Sequence, residues 1–96
     1  MFIVILRYVR PLEEVDALMR SHVEWLKRHY ARGAFLASGR QTPRVGGVIL
    51  ARSGDRAELE ATLAEDPFVA GGVATAEVIE FHPSMTANGA EVFKHL

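Results

Sequence analysis

Phe2-Ile3-Val4-Ile5-Leu6-Arg7-Tyr8-Val9 decides the fold. The run is rich in β-branched and aromatic residues, and from Phe2 to Leu6 it is apolar without alternation, the pattern of a strand covered on both faces. It predicts a central strand. Arg10-Pro11 ends it, because proline cannot donate to a ladder and holds its predecessor extended. A second run of the same kind, Val48-Ile49-Leu50-Ala51, follows the loop Arg40-Gln41-Thr42-Pro43-Arg44 and the lead-in Val45-Gly46-Gly47, and predicts a second central strand. Two other stretches read as edges. Ala34 to Gly39 is shorter and less apolar, and Val73 to Phe81 interleaves Thr75, Glu77 and Glu80 with apolar residues before His82-Pro83 closes it.

Helices fill the gaps between these runs. Leu12, Val15, Leu18, Met19, Val23, Leu26 and Tyr30 recur at intervals of three and four, predicting one long helix with Glu13, Glu14 and Asp16 at its positive end. Arg28 and Arg32 sit at its negative end, and Gly33 supplies a left-handed stop. Asp55 and Glu58 resemble a capping box for a second helix with Leu59 and Leu63 inward, ending near Glu65. The order strand, helix, strand, strand, helix, strand predicts an α+β fold. It is the ferredoxin-like βαββαβ arrangement, a four-stranded antiparallel sheet with two helices on one face. Helices on one face leave the other apolar face bare. A second copy related by a twofold axis is predicted to cover it, giving a homodimer through sheet faces. The tail from Ser84 to Leu96 holds only Met85, Val92, Phe93 and Leu96 as anchors, so it is either a short docked helix or a segment that orders on a partner.

Composition sets the limits. The 96 residues make one domain, with a core over residues 1–82 and a tail over 83–96. With 11 Lys and Arg against 12 Asp and Glu, no global field draws a phosphate backbone, so nucleic acid is not an expected partner. The chain has no cysteine, hence no disulfide framework, thiolate nucleophile or thiolate zinc site, which fits a reducing cytoplasm. The run Phe2 to Leu6 is too short to span a bilayer, and neither a basic segment nor a small-residue cleavage site flanks it, so no membrane partner is expected.

Chemistry concentrates around Asp66-Pro67-Phe68-Val69-Ala70-Gly71-Gly72-Val73. Asp before Pro is a helix-start signal, because the carboxylate accepts from free N–H groups of the first turn and proline fits the first helical position. His22 is a candidate partner for Asp66. Its helical neighbours Leu18, Met19 and Leu26 are apolar, so its ring faces inward and needs a polar partner to avoid a desolvation cost of about 1–3 kcal/mol. A carboxylate on one ring nitrogen fixes the tautomer and frees the other nitrogen as a general base or acid. The plainer alternatives are a histidine satisfied within the core and an aspartate that only caps. Ser38 and Gly39 allow close approach, with Ser38 a possible hydrogen-bond donor, and Arg7, Arg40 and Arg44 are candidate guanidinium forks for an anionic ligand. Arg7 stands out as the one charge within a central strand, although an ion pair at the strand end also accounts for it. His22 and His29 are separated by about 10.5 Å along one helix, so one metal cannot take both, and His82 and His95 fall in terminal sequence. Neither a metal nor a cofactor is expected. Gly71-Gly72 lacks the preceding strand and following lysine of a phosphate loop.

His22 with Leu26, Gly33, Leu36-Ala37-Ser38-Gly39, Gly46-Gly47-Val48, the Asp66 to Val73 stretch and the closing Val78 to Phe81 together resemble the YciI-like family of small dimeric α/β-barrel proteins. The resemblance spans roughly residues 1 to 82. It implies a ferredoxin-like fold, a dimer, and a site near His22 and Asp66, with Pro67 and Phe68 of the Asp-Pro-aromatic motif beside it. Most members look like enzymes without an assigned reaction, a few are associated with breakdown of chlorinated aromatics, and the fold is similar to that of muconolactone isomerases. One departure is that many members carry proline after the glycine of the second strand, whereas Arg40 follows Gly39 here. The functions compatible with these residues are a cofactor-free enzyme moving protons on a small oxygenated or anionic ring, a module that binds such a ligand without chemistry, and an assembly subunit.

Overall fold

The computed structural model describes all residues from 1 to 96. Its sheet has four strands in the order β2-β3-β1-β4: β1 Phe2–Tyr8, β2 Phe35–Arg40, β3 Gly46–Ala51 and β4 Ala74–Glu80. All neighbours are antiparallel, and the two runs without alternation are indeed central. The architecture is the ferredoxin-like α+β fold that the element order predicts.

Register fixes which side chains face the helices. Val4 stands opposite Ile49 and Val78, and Leu6 opposite Gly47 and Ala76. Phe2, Val4 and Leu6 therefore point to one side, where they join Trp25, Phe35, Ile49, Leu59 and Leu63 in the main core. Four helices lie on that side rather than two: α1 Leu12–Ala17, α2 Met19–Ala31, α3 Arg56–Ala64 and the single turn α4 Pro67–Ala70. The predicted long helix breaks at Leu18, whose N–H donates to Val15 O at 3.0 Å. The break redirects the chain between two cores. Val15 of α1 packs with Phe68, Val73 and Ala74, whereas Trp25 of α2 packs in the main core. Leu18 itself fits against Gly71, where an added Cβ would come within 2.6 Å of Leu18 Cδ1 and 2.7 Å of Pro67 O. Gly33 ends α2 in the left-handed region as predicted. Asp55 caps α3 by accepting from Ala57 N at 2.8 Å.

The opposite face shows Ile3, Ile5, Val48 and Leu50, all half-buried, with Ile79 beside them. Part of it is covered by the chain itself, a correction to the expectation that only a second copy could do so. Pro83, Met85 and Phe93 of the tail stand over Met1, Ile3 and Leu50 around an apolar cavity of about 340 Å³. The tail carries a short 3-10 helix, Glu91–His95. On the outer edge, Arg56 of α3 donates to Val78 O of β4 at 3.2 Å.

Candidate active site

His22 and Asp66 meet. Nδ1–H of His22 donates to Asp66 Oδ1 at 2.8 Å, and the N–H of Phe68 donates to the same oxygen at 3.0 Å. Cap and partner are thus one oxygen. The two readings of Asp66 that the residues left open are both realised, because Asp66 is the N-cap of α4 and the last turn before it carries the carboxylate under α2. Asp66 is 0% exposed, and its Oδ2 is buried without a hydrogen-bond partner. Phe68 then lies flat on the imidazole.

Beyond His22 opens a cavity of about 130 Å³. An apolar cavity of about 150 Å³ accepts benzene, so this one is on the scale of a single six-membered ring. Its walls come from α2 (Met19, His22, Val23, Leu26), β1 (Leu6, Tyr8), β2 (Ser38, Gly39, Arg40), β3 (Gly47 to Ile49) and Phe68. The floor is made by absence. Gly47 occupies a helix-facing position opposite Leu6, and any side chain there would fill the space. Its neighbour Gly46 has no choice, because an added Cβ would sit 1.7 Å from Leu6 O. Gln41 locks this corner by donating to Leu6 O and Gly47 O at 3.2 and 3.3 Å. Nε2 of His22 forms no hydrogen bond within the chain and is not sealed from solvent, so it is the free nitrogen on the cavity wall.

Of the residues singled out from sequence, His22, Ser38, Gly39, Arg40 and Phe68 border the cavity, and Asp66 stands behind His22. Ser38 shares a 2.6 Å hydrogen bond with Tyr30 of α2 at the mouth. Of the loop Arg40-Gln41-Thr42-Pro43-Arg44, only Arg40 borders the cavity, and the register makes Arg40 the end of β2, paired with Gly47. Pro67 is half-buried at the start of α4 and off the wall. Arg7 is a correction. Strand alternation turns it to the opposite face, where it pairs with Glu77 at 3.5 Å, and both side chains are more than half exposed. Tyr8, which no motif marked, lines the cavity instead, and its position two residues after Leu6 is the signal that would have found it.

A second polar cluster lies further along α2. His29 Nδ1 accepts from Arg32 Nε–H at 2.7 Å, and Arg32 Nη2 donates to Thr62 Oγ1 of α3 at 3.1 Å. Burial, with the Arg32 and Arg28 charges adding to it, holds His29 below the usual histidine range despite Glu65. No three His, Asp or Glu side chains converge as a metal site would require. No helix is long and apolar enough to cross a membrane.

A ferredoxin-like domain with a buried His–Asp pair beside a ring-sized cavity defines the class. The chain belongs to the family of the YCII-related domain, whose model matches residues 1–82. Among solved structures it is similar to 5-chloro-2-hydroxyhydroquinone dehydrochlorinase (TftG) from Burkholderia phenoliruptrix AC1100, in a complex with 2,5-dihydroxybenzoquinone. The TM-score is 0.70 at 18% sequence identity, over 84% of this chain and 93% of that one, a likeness of fold. No curated protein matches the chain.

Proposed function

We propose that this chain is a cofactor-free, small-molecule enzyme, in which His22 and Asp66 move a proton on a small oxygenated or anionic ring compound. The observation that carries the reading is the free Nε2 of an Asp66-clamped His22 on the wall of a cavity of about 130 Å³. Asp66 holds the Nδ1–H tautomer, leaving Nε2 with a lone pair aimed to accept. In an isomerisation or ring opening that nitrogen takes a proton from carbon or hydroxyl and returns it. In an elimination it takes a ring hydroxyl proton while a leaving group departs with its bonding pair. Arg40 carries no ion pair within the chain and stands at the mouth, a cation for the ligand's negative oxygen, with Ser38 as a further donor. The fold neighbour's dehydrochlorinase activity on a hydroxyhydroquinone supports the ring-compound class. The working unit is residues 1–82 with 83–96 appended, paired with a second copy through the free part of the sheet face, in the cytoplasm. Turnover of a panel of lactones and halogenated hydroxyquinones by the wild type and by His22→Ala tests the reading. Turnover that survives His22→Ala overturns it, and ring compounds that bind without reacting would make the cavity a binding module.

A further inference from the structure

Strand alternation delivers a phenol to the cavity. The Tyr8 ring meets Phe68 edge-on, with centroids 6.0 Å apart, so Phe68 has His22 against its face and Tyr8 as its T-shaped partner. Arg44 stands over the Tyr8 ring, its guanidinium carbon 5.9 Å from the centroid. Arg44 is itself fixed by an ion pair with Asp16 of α1. That pairing holds the Asp16 carboxyl below the usual carboxylate range and raises Arg44, to which the phenol adds a lesser share. No hydrogen bond of normal geometry joins Arg44 to Tyr8. Nor does any other group of the chain engage the Tyr8 hydroxyl, which is not sealed from solvent.

The direction of donation follows from the chemistry of the two groups. A guanidinium carries only donors, so whatever Arg44 does at the phenol oxygen, it cannot take the phenol's proton. The O–H is left with nothing in the chain to donate to. We propose that Tyr8 is a ligand-binding residue of this cavity, donating its O–H to a ring oxygen of the ligand with Arg44 as a positive backing. This rests on the reading of the cavity as a ring-compound site and narrows the ligand class. The ring carries at least two oxygens, one reached by His22 Nε2 and another by Tyr8. Charge-assisted donors are the strong ones, and a positively backed O–H meeting an ionised hydroxyquinone oxygen is of that kind.

Visible-absorption titration with 2,5-dihydroxybenzoquinone tests this, alongside phenol as a one-oxygen ring. Tyr8→Phe keeps the ring against Phe68 and beneath Arg44 and removes only the hydroxyl. It is expected to leave the melting temperature unchanged and to weaken the two-oxygen ligand by about tenfold or more, a factor worth about 1.4 kcal/mol. Phenol binding should hardly change, so the wild type's preference for the second oxygen disappears. Arg44→Gln leaves the hydroxyl in place and should produce a smaller loss for the same ligand. Equal affinity of Tyr8→Phe and wild type for the quinone overturns the inference while leaving His22 and Asp66 in their proposed roles. A wild type that binds neither ring overturns the cavity reading, and this inference with it.

Discussion

The ring of His22 lies 3.9 Å from that of Phe68, centroid to centroid, and within 6° of parallel. Phe68 follows Asp66 by two residues and donates its own N–H to the oxygen that holds His22 Nδ1. One short segment therefore sets both the plane of the imidazole and its tautomer. Rotating the ring would break the hydrogen bond and the stack together.

That double hold separates structure from chemistry in the dyad. Asp66→Asn keeps a carbonyl that can accept from both His22 and Phe68 and places its amide where Oδ2 already lacks a partner. A stability loss of about 1–3 kcal/mol is expected, without loss of fold. Turnover should fall by orders of magnitude, and Asp66→Asn with His22→Ala should cost little more than either alone, because the two act as a unit. Paired denaturation and kinetic measurements check this, and additive losses would count against a unit.

The His29 cluster makes stability depend on pH. Its folded pKa lies below the usual histidine value of 6.5, chiefly through burial. Between that depressed value and the unfolded one the unfolded chain binds the extra proton, so stability is full above about pH 6.5 and is lost as the pH falls through the folded value. Protonation would also remove the acceptor that Arg32 uses. Denaturant midpoints between pH 7.5 and 5 should drift downward, and His29→Gln, which offers a carbonyl to Arg32 and does not titrate, should flatten the drift.

Gly46 should be the least replaceable residue in the sheet. An alanine Cβ there would meet the backbone oxygen of Leu6 at 1.7 Å, which no rotamer change relieves. Gly46→Ala is expected to cost more than about 4 kcal/mol, the range of severe single changes, or to prevent folding. Gly54→Ala, with nothing within 4 Å, is the control and should melt like the wild type.

Pairing through the free sheet face predicts light-scattering masses near twice the chain's 10.6 kDa. Ile5→Lys and Val48→Glu, on that face, should shift the protein to a monomer without disturbing the helix side. Monomeric wild type at micromolar concentration would remove the proposed dimer.

The fold was legible because two-sided burial leaves its mark in composition. Phe2 to Leu6 and Val48 to Ala51 could only be inner strands, and the element order did the rest. The break at Leu18 left no such mark, since periodicity reports where side chains recur and not how the backbone hydrogen bonds run between them. In the site, His22 and Asp66 were legible from an apolar helix face and a cap in need of a second role. Arg7 misled because a charge within an apolar strand draws notice, while alternation assigns the inward place to its neighbour Tyr8. The floor at Gly47 was illegible for a different reason, because only register shows that a missing side chain lies opposite Leu6.

The Arg56 bond to Val78 O carries a consequence for behaviour in solution. β4 is an edge strand of seven residues, long enough to template another chain and end in fibrils. Its guard is a guanidinium sent from α3 to occupy an outward carbonyl, with the carboxylates of Glu77 and Glu80 spaced along the same strand. Removing those three groups together is expected to leave the His22–Asp66 pair intact in a molecule prone to polymerise through its rim, so guarding the edge and building the candidate site are tasks held by separate residues.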